Sequence, residues 1–182
     1  MSESCPYLGW IDLEMTGLVP EQDTIMEIAT LITDTELNEV AEGPVLAIQH
    51  TPQQLERMDS WCQHHHGQSG LSERVVQSRV TLAEAEQQSL AFLQRYLPRG
   101  STPLCGNSIW QDRRFLVRYM PQLEQWFHYR NIDVSSIKEL AKRWAPQIAA
   151  GVKKRKTHLA LDDIRESIEE LRYYRRSLFS IQ

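Results

Sequence analysis

Asp12 and Glu14 stand two positions apart in Trp10-Ile11-Asp12-Leu13-Glu14-Met15-Thr16-Gly17-Leu18, a run otherwise made of strand-forming apolar residues and a turn glycine. Side chains alternate across a strand, so both carboxylates face one way, with Cα atoms about 6–7 Å apart. Two acids side by side in an apolar setting repel each other and lose hydration, and a divalent cation between them removes both costs. On these residues alone a solvated strand end is an equally open reading. A bound cation needs more oxygen ligands, and magnesium takes carboxylates together with water and phosphate oxygens. Asp112, in Gly106-Asn107-Ser108-Ile109-Trp110-Gln111-Asp112, is one candidate; His158 and Asp163, in Thr157-His158-Leu159-Ala160-Leu161-Asp162-Asp163, supply others. Taken singly, Asp112 also reads as a helix cap or dipole partner, and His158 as an ordinary surface or core residue.

These residues need a scaffold. After the first strand, Thr24 to Asp34 is rich in β-branched residues, and Val40 to Ile48 forms a third run interrupted by Gly43-Pro44. Short polar links between the three predict an antiparallel meander. Pro52 opens a helical region, and Thr81-Leu82-Ala83-Glu84 is a capping box for a helix reaching about Tyr96. Pro103 to Asn107 reads as a short buried strand. Ile109 to Met120 follows as a helix with Phe115, Leu116 and Tyr119 on one side. Ser135 to Trp144 is a helix capped by Ser135 or Ser136, with Ile137, Leu140, Ala141 and Trp144 as its apolar stripe. The last helix follows Leu159 and carries Leu161, Ile164, Ile168 and Leu171 on one stripe. Asp163 shares a flank of that helix with the small residues Ala160 and Ser167, where a metal has space, whereas Asp162 points the other way. Strands first, then helices interleaved with short strands, imply an α/β layered domain with a mixed central sheet flanked by helices.

The 182 residues, 41% of them hydrophobic, are expected to form a single domain over 1–182. No apolar run approaches the roughly 18–20 residues of a membrane span, so no membrane partner is expected. The N-terminal residues lack the basic and apolar regions of a signal peptide, and Cys5, Cys62 and Cys105 read as reduced thiols, which together predict a cytoplasmic protein. A net charge of −4 argues against tracking a long nucleic acid, which takes many phosphate-neutralising cations, and leaves room for a short substrate held at few points.

Asp-x-Glu on the first strand, an Asp shortly after Gly-Asn, and His followed five positions later by Asp resemble the DEDDh family of exonucleases, with its oligoribonuclease branch the nearer likeness. The motifs are Trp-Ile-Asp-Leu-Glu-Met-Thr-Gly-Leu at 10–18, Gly-Asn-Ser-Ile-Trp-Gln-Asp-Arg-Arg-Phe-Leu at 106–116 and His-Leu-Ala-Leu-Asp-Asp-Ile-Arg-Glu-Ser at 158–167. The resemblance implies an RNase H-like (DnaQ-like) fold and 3′-to-5′ hydrolysis of very short single-stranded RNA, dinucleotides above all. It implies that Asp12, Glu14, Asp112 and Asp163 hold two divalent ions, Mg2+ or Mn2+, and that His158 is the general base. An imidazole, titrating near pH 6.5, is suited to that task. The family's His-to-Asp spacing agrees with the choice of Asp163.

The same resemblance implies that Leu18 wedges against a base, that Trp61 offers an aromatic face and that His66 contacts the substrate. In Tyr129-Arg130-Asn131-Ile132-Asp133-Val134-Ser135-Ser136, the Arg130 guanidinium suits a phosphate, and Ser135 and Ser136 open a helix whose free N–H groups favour an anion. The family's 5′-phosphate cap resembles this set together with Ser108, with Gln111 as a lesser contributor. Family members are homodimers in which Tyr129 reaches the partner's active site; by residue type alone, Trp126 to Tyr129 fits core or interface equally. Lys153 to Lys156 is a basic run, a solvated loop or a steering patch. Gly9 departs from the pattern, interrupting a strand where a larger residue is expected. Two other readings are an exonuclease trimming longer RNA or DNA and an inactive nucleic-acid-binding module.

Overall fold

A computed structural model describes residues 5–152 and 159–179; the expectations that fall on His158 and on Lys153 to Lys156 lie outside the described residues. The strands are β1 (Tyr7–Met15), β2 (Ile25–Asp34), β3 (Glu39–Ala47), β4 (Leu104–Gly106) and β5 (Asn131–Asp133). The helices are α1 (Pro52–Leu55), α2 (Ser60–Gln68), α3 (Leu71–Gln77), α4 (Leu82–Leu93), α5 (Ile109–Tyr119), α6 (Pro121–Glu124), α7 (Val134–Trp144), α8 (Pro146–Ala149) and α9 (Ala160–Leu178).

The strands form one mixed sheet in the order β3-β2-β1-β4-β5. The expected meander is present: β1 pairs antiparallel with β2 and β2 with β3. On its other side β1 pairs in parallel with β4, but only through Gly9 and Trp10, and β5 extends the sheet in parallel beyond β4. The strand β5 is an addition to the sequence reading; three residues are too few to show a period.

Alternation along β1 divides its side chains between two cores. Ile11 and Leu13 join Ile28, Ile32, Phe92 and Leu93 of α4, and Phe115 and Leu116 of α5 on one face. Trp10 joins Leu31, Val134 and Ala141 of α7, and Ile164, Ile168 and Tyr174 of α9 on the other. A third, smaller core of Met26, Met58, Cys62, Leu71 and Val75 holds the α2–α3 hairpin against the sheet. The capping box at Thr81 is formed on both sides, by Glu84 N–H to Thr81 Oγ1 at 3.2 Å and Thr81 N–H to Glu84 Oε2 at 2.8 Å.

Two expectations are corrected. Helix α7 is capped by Asp133, whose side chain accepts the Ser135 N–H, so Ser135 and Ser136 lie in its first turn and neither is the cap. Its buried residues are Val134 and Ala141, seven apart, while Leu140 and Trp144 of the expected inner stripe are 41% and 74% exposed. The turn of α7 that packs best places Lys138 toward α9 instead, 3.6 Å from Glu170. Among the described residues, no helix is long and apolar enough to cross a membrane.

Gly9 has a steric reason. A Cβ there would lie 2.7 Å from Leu97 Cδ1 and 2.7 Å from Phe127 Cε1, so the glycine lets those side chains close over β1. Gly9→Ala is expected to cost about 1–3 kcal/mol by overpacking, read as a lower midpoint in urea at unchanged m-value.

Candidate active site

The acid cluster is built by the alternation of β1 and the entry of α9. Asp12 and Glu14 share a face with Trp10, the face that α9 covers. Asp163 stands in the first turn of α9, one turn beyond Leu159, and is aimed back at the strand. One ligand oxygen from each of Asp12, Glu14 and Asp163 lies within 4.8 Å of the others. Asp162 is not part of this group, as the helix periodicity indicates.

Asp112 reaches the cluster from the other side. Because β4 pairs only with Gly9 and Trp10, the edge of β1 beyond them is open, and the Leu13 N–H on that edge donates to Asp112 Oδ1 at 2.9 Å. Asp112 is buried, in the first turn of α5, and its charge is felt by both Asp12 and Glu14. Asp12, Glu14, Asp112 and Asp163 therefore converge, with the first, second and fourth in closest contact.

Burial and mutual repulsion dominate the electrostatics. Asp12 is raised well above the ordinary carboxylate range, first by burial and then by Asp112, Glu14 and Asp163. Burial, followed by Asp163, Glu27 and Asp112, pushes Glu14 up to about 8. Burial pushes Asp112 up to about 7 against the opposing pull of the Leu13 N–H. Glu27, directly opposite Glu14 across the β1–β2 ladder, is itself buried and adds to the field. Arg74 of α3 is the cation that relieves Glu14, but its guanidinium is committed to the Glu27 carboxylate. Convergent carboxylates in a poorly hydrated setting, with the nearest guanidinium spent elsewhere, are a donor set that fits divalent metal.

The expected substrate residues divide by exposure. Leu18 is 67% exposed at the tip of the loop after β1. The loop is tied by Asp23, which accepts from Thr16 Oγ1 at 3.2 Å and the Val19 N–H at 2.9 Å and occupies the space a Cβ on Gly17 would need. Gln111 of α5 donates to the Leu18 carbonyl at 2.7 Å and accepts from Arg114 at 2.8 Å, so its amide is spent on holding the loop. Trp61, 60% exposed, lies flat on the His65 ring at 3.9 Å. His66 is only 4% exposed: its Nε2 donates to the Met15 carbonyl at 2.9 Å, which leaves Nδ1 unprotonated 3.8 Å from Glu14. Burial lowers its pKa, and its Nδ1 faces the Glu14 carboxyl. His66 thus supports the strand end from a buried position.

At the other end, Ser108 and Ser135 meet with hydroxyls 2.9 Å apart. Asp133 accepts the N–H groups of both, each at 2.9 Å, so a carboxylate already occupies part of the helix N-terminus read as an anion site. Its preference for the cap position was legible, since Asp is among the strongest N-caps. Ser136 is exposed in the same turn. Arg130 lies over the Tyr129 ring at 5.5 Å, and both are exposed. The aromatic cluster is split: Phe127 is in the core and Tyr129 stands 74% exposed.

A family model described as Exonuclease (RNase_T) matches residues 10–171, from β1 to α9, and the chain belongs to that family of exonucleases. Within it the chain groups with the oligoribonucleases. It is 63% identical to the oligoribonuclease of Hydrogenovibrio crunogenus over 172 residues, covering 94% of each chain. It is 62% identical to that of Marinobacter nauticus over 174 residues, 96% of this chain and 97% of the relative. It is 63% identical to that of Pseudomonas aeruginosa over 168 residues, 92% and 93%. Among solved structures it is similar to exonuclease I of Methylocaldum szegediense, with TM-score 0.65 and 19% identity, over 96% of this chain and 41% of that one. It is likewise similar to E. coli exonuclease I in complex with a dT13 oligonucleotide, with TM-score 0.66 and 16% identity, over 93% and 41%. The chain spans less than half of those exonuclease I chains, and the likeness to them is one of fold: an RNase H-like exonuclease fold.

Glu14 gives a pH signature. Its folded pKa of about 8 lies above its ordinary value of 4.5, so its neutral form stabilises the metal-free fold below pH 4.5 and that contribution disappears as pH rises through 8. The thermal midpoint of metal-free protein is expected to fall between pH 5 and pH 8.5, and less so in Glu14→Gln. Millimolar Mg2+ should raise the wild-type midpoint most at the alkaline end, because the ion binds the ionised cluster.

Proposed function

We propose that the chain is a 3′-to-5′ exoribonuclease that hydrolyses very short RNA, 5′-phosphorylated dinucleotides in particular, to mononucleotides. The observation that carries this reading is the convergence of Asp12, Glu14 and Asp163 within 4.8 Å in a chain of the exonuclease family. With Asp112, these residues would hold two divalent ions, Mg2+ or Mn2+. Such ions, when bound, lower the pKa of water and neutralise charge on a scissile phosphate.

The chain's own residues divide the remaining work. His158, outside the described residues, takes the proton of the attacking water. His66 holds the backbone at Met15 and so fixes the end of β1 that carries Glu14. Leu18 and Trp61 present exposed apolar faces to the bases, and stacking on an aromatic accepts any base. Gln111 sets the height of Leu18 through its carbonyl. Ser108, Arg130, Ser135 and Ser136 form the subsite for a terminal 5′-phosphate. Arg130 offers a planar fork. A subsite that closes on one phosphate at few points suits a chain of net charge −4.

Tyr129, Leu140 and Trp144 leave large apolar side chains uncovered, which supports a homodimer in which Tyr129 reaches the partner's site. The free thiols of Cys5, Cys62 and Cys105 suit the reducing cytoplasm.

The decisive experiment is turnover of 5′-phosphorylated RNA from dimer to decamer with added Mg2+ or Mn2+. The dimer is expected to be preferred in kcat/KM by about tenfold or more over the longest chain, a loss that corresponds to about 1.4 kcal/mol of transition-state binding. Equal turnover at every length would sink the reading. Asp112→Ala should lower kcat by about a thousandfold or more with little change in fold; retained metal-dependent hydrolysis would place the ions elsewhere. Trp144→Glu should convert a dimer into particles of 21.2 kDa in sedimentation.

A further inference from the structure

Glu27 is a strand carboxylate with only 1% exposure, and its ladder neighbours are Glu14 on one side and Ala47 on the other. Directly paired residues of antiparallel strands have Cα atoms about 4.5–5.5 Å apart and side chains on one face. Glu27 therefore stands beside a proposed metal ligand without belonging to the group of Asp12, Glu14 and Asp163. Its carboxylate is engaged by Arg74 of α3 instead: Nη1 meets Oε1 in a short contact, and Nη2 lies 3.5 Å from Oε2. A buried ion pair is an expensive way to join a helix to a sheet, because apolar packing of the same volume serves stability as well or better.

The place of Arg74 is set by packing and not by Glu27. Leu71 and Val75, on the same helix, are 1% and 0% exposed in the small core with Met26. The Val75 carbonyl accepts the His50 N–H at 3.0 Å, and the Ser78 hydroxyl donates to the carbonyl of Ala47, the ladder partner of Glu27, at 2.6 Å. The helix thus delivers a guanidinium to this corner of the sheet, on a side chain still 39% exposed and free to swing. Two acids are near enough to receive it. Glu27 and Arg74 both act on Glu14, with opposite sign, as do the acids Asp112 and Asp163, and the His66 ring lies 3.8 Å from the Glu14 carboxyl. A guanidinium moved one ladder position, from Glu27 to Glu14, would cover with its fork of donors the oxygens that an ion needs.

We infer that Glu27 is a positioning residue for the metal centre: it ligates nothing itself, and by holding Arg74 it keeps that guanidinium off Glu14. The inference rests on the metal reading of the acid cluster given above.

The test measures Mn2+ binding by calorimetry in wild type, Glu27→Met, Arg74→Met and the double variant, with melting curves for each and a crystal structure of metal-free Glu27→Met. Methionine has nearly the volume of glutamate and offers Arg74 no carboxylate. Glu27→Met is expected to bind Mn2+ about tenfold more weakly or worse, as when an outer partner of a metal ligand is lost. Its structure should show the Arg74 guanidinium against the Glu14 carboxylate. Removing the guanidinium as well should return binding to within about threefold of wild type, since the two sites are coupled. Arg74→Met alone should lower the metal-free melting midpoint, because it leaves Glu27 buried without its cation, and should bind Mn2+ no more weakly than wild type.

A folded Glu27→Met protein with wild-type affinity overturns the inference and leaves the metal site standing. Weak binding that Arg74→Met does not rescue, or an Arg74 side chain turned to solvent in the Glu27→Met structure, does the same. If Glu27→Met does not fold, Glu27→Gln with and without Arg74→Met decides in the same terms. A wild type that binds no Mn2+ removes the metal reading, and the inference with it.

Discussion

Mutual repulsion among crowded, half-buried carboxylates is the constraint on which the rest of the structure turns. Asp12 and Glu14 are fixed on one face of the central strand by its alternation, and Asp112 and Asp163 are brought to them by helices from either side. Folding without metal assembles these acids at an electrostatic cost, and their raised pKa values record it. The surroundings resist relaxation of the cluster. Leu13 donates to Asp112, His66 pins Met15, and Arg74 neutralises Glu27 across the ladder from Glu14. Each contact lies beside a carboxylate and keeps it from swinging outward.

The same economy of donors appears around Leu18 and around Ser135. Gln111, expected as a ligand contact, is occupied with the Leu18 carbonyl, and Ser135 spends its N–H on Asp133 and its hydroxyl on Asn107. Side chains nearest the reading surface are thus held by polar neighbours below them. Leu18, Trp61 and Tyr129 remain outermost and largely exposed. Rigid backing behind apolar contacts lowers the ordering cost when a small ligand binds.

Period and punctuation made much of this legible in the sequence. The β1 alternation put Asp12 and Glu14 on one face, the Thr81 capping box started α4, and the α9 stripe separated Asp163 from Asp162. Failures came where a local rule had a competitor. Of the expected α7 stripe, Ala141 is buried, but Leu140 and Trp144 are exposed, because the helix buries Val134 and brings Lys138 toward Glu170. Ser135 and Ser136 are good caps by residue type, but Asp133 precedes them and its carboxylate takes the Ser135 N–H. The burial of His66 follows from the pairing of α2 with the end of β1, a contact 51 residues apart that periodicity cannot show. Strand β5 and the Lys138–Glu170 contact are products of tertiary packing for the same reason.

The placement of Asp163 also orders events in time. Asp12 and Glu14 are synthesised early, and the acid that completes their group follows about 150 residues later, in the helix that closes the sheet's second face. A chain emerging from the ribosome is surrounded by RNA, yet its first two acids stand without Asp163 until α9 has been made and has docked. Docking is a packing event driven by Ile164, Ile168 and Tyr174 against Trp10 and Leu31, so the hydrophobic closure of the fold and the completion of the acid group are one step. A chain cut short before α9 carries a strand with two acids and no Asp163 to close the group around an ion.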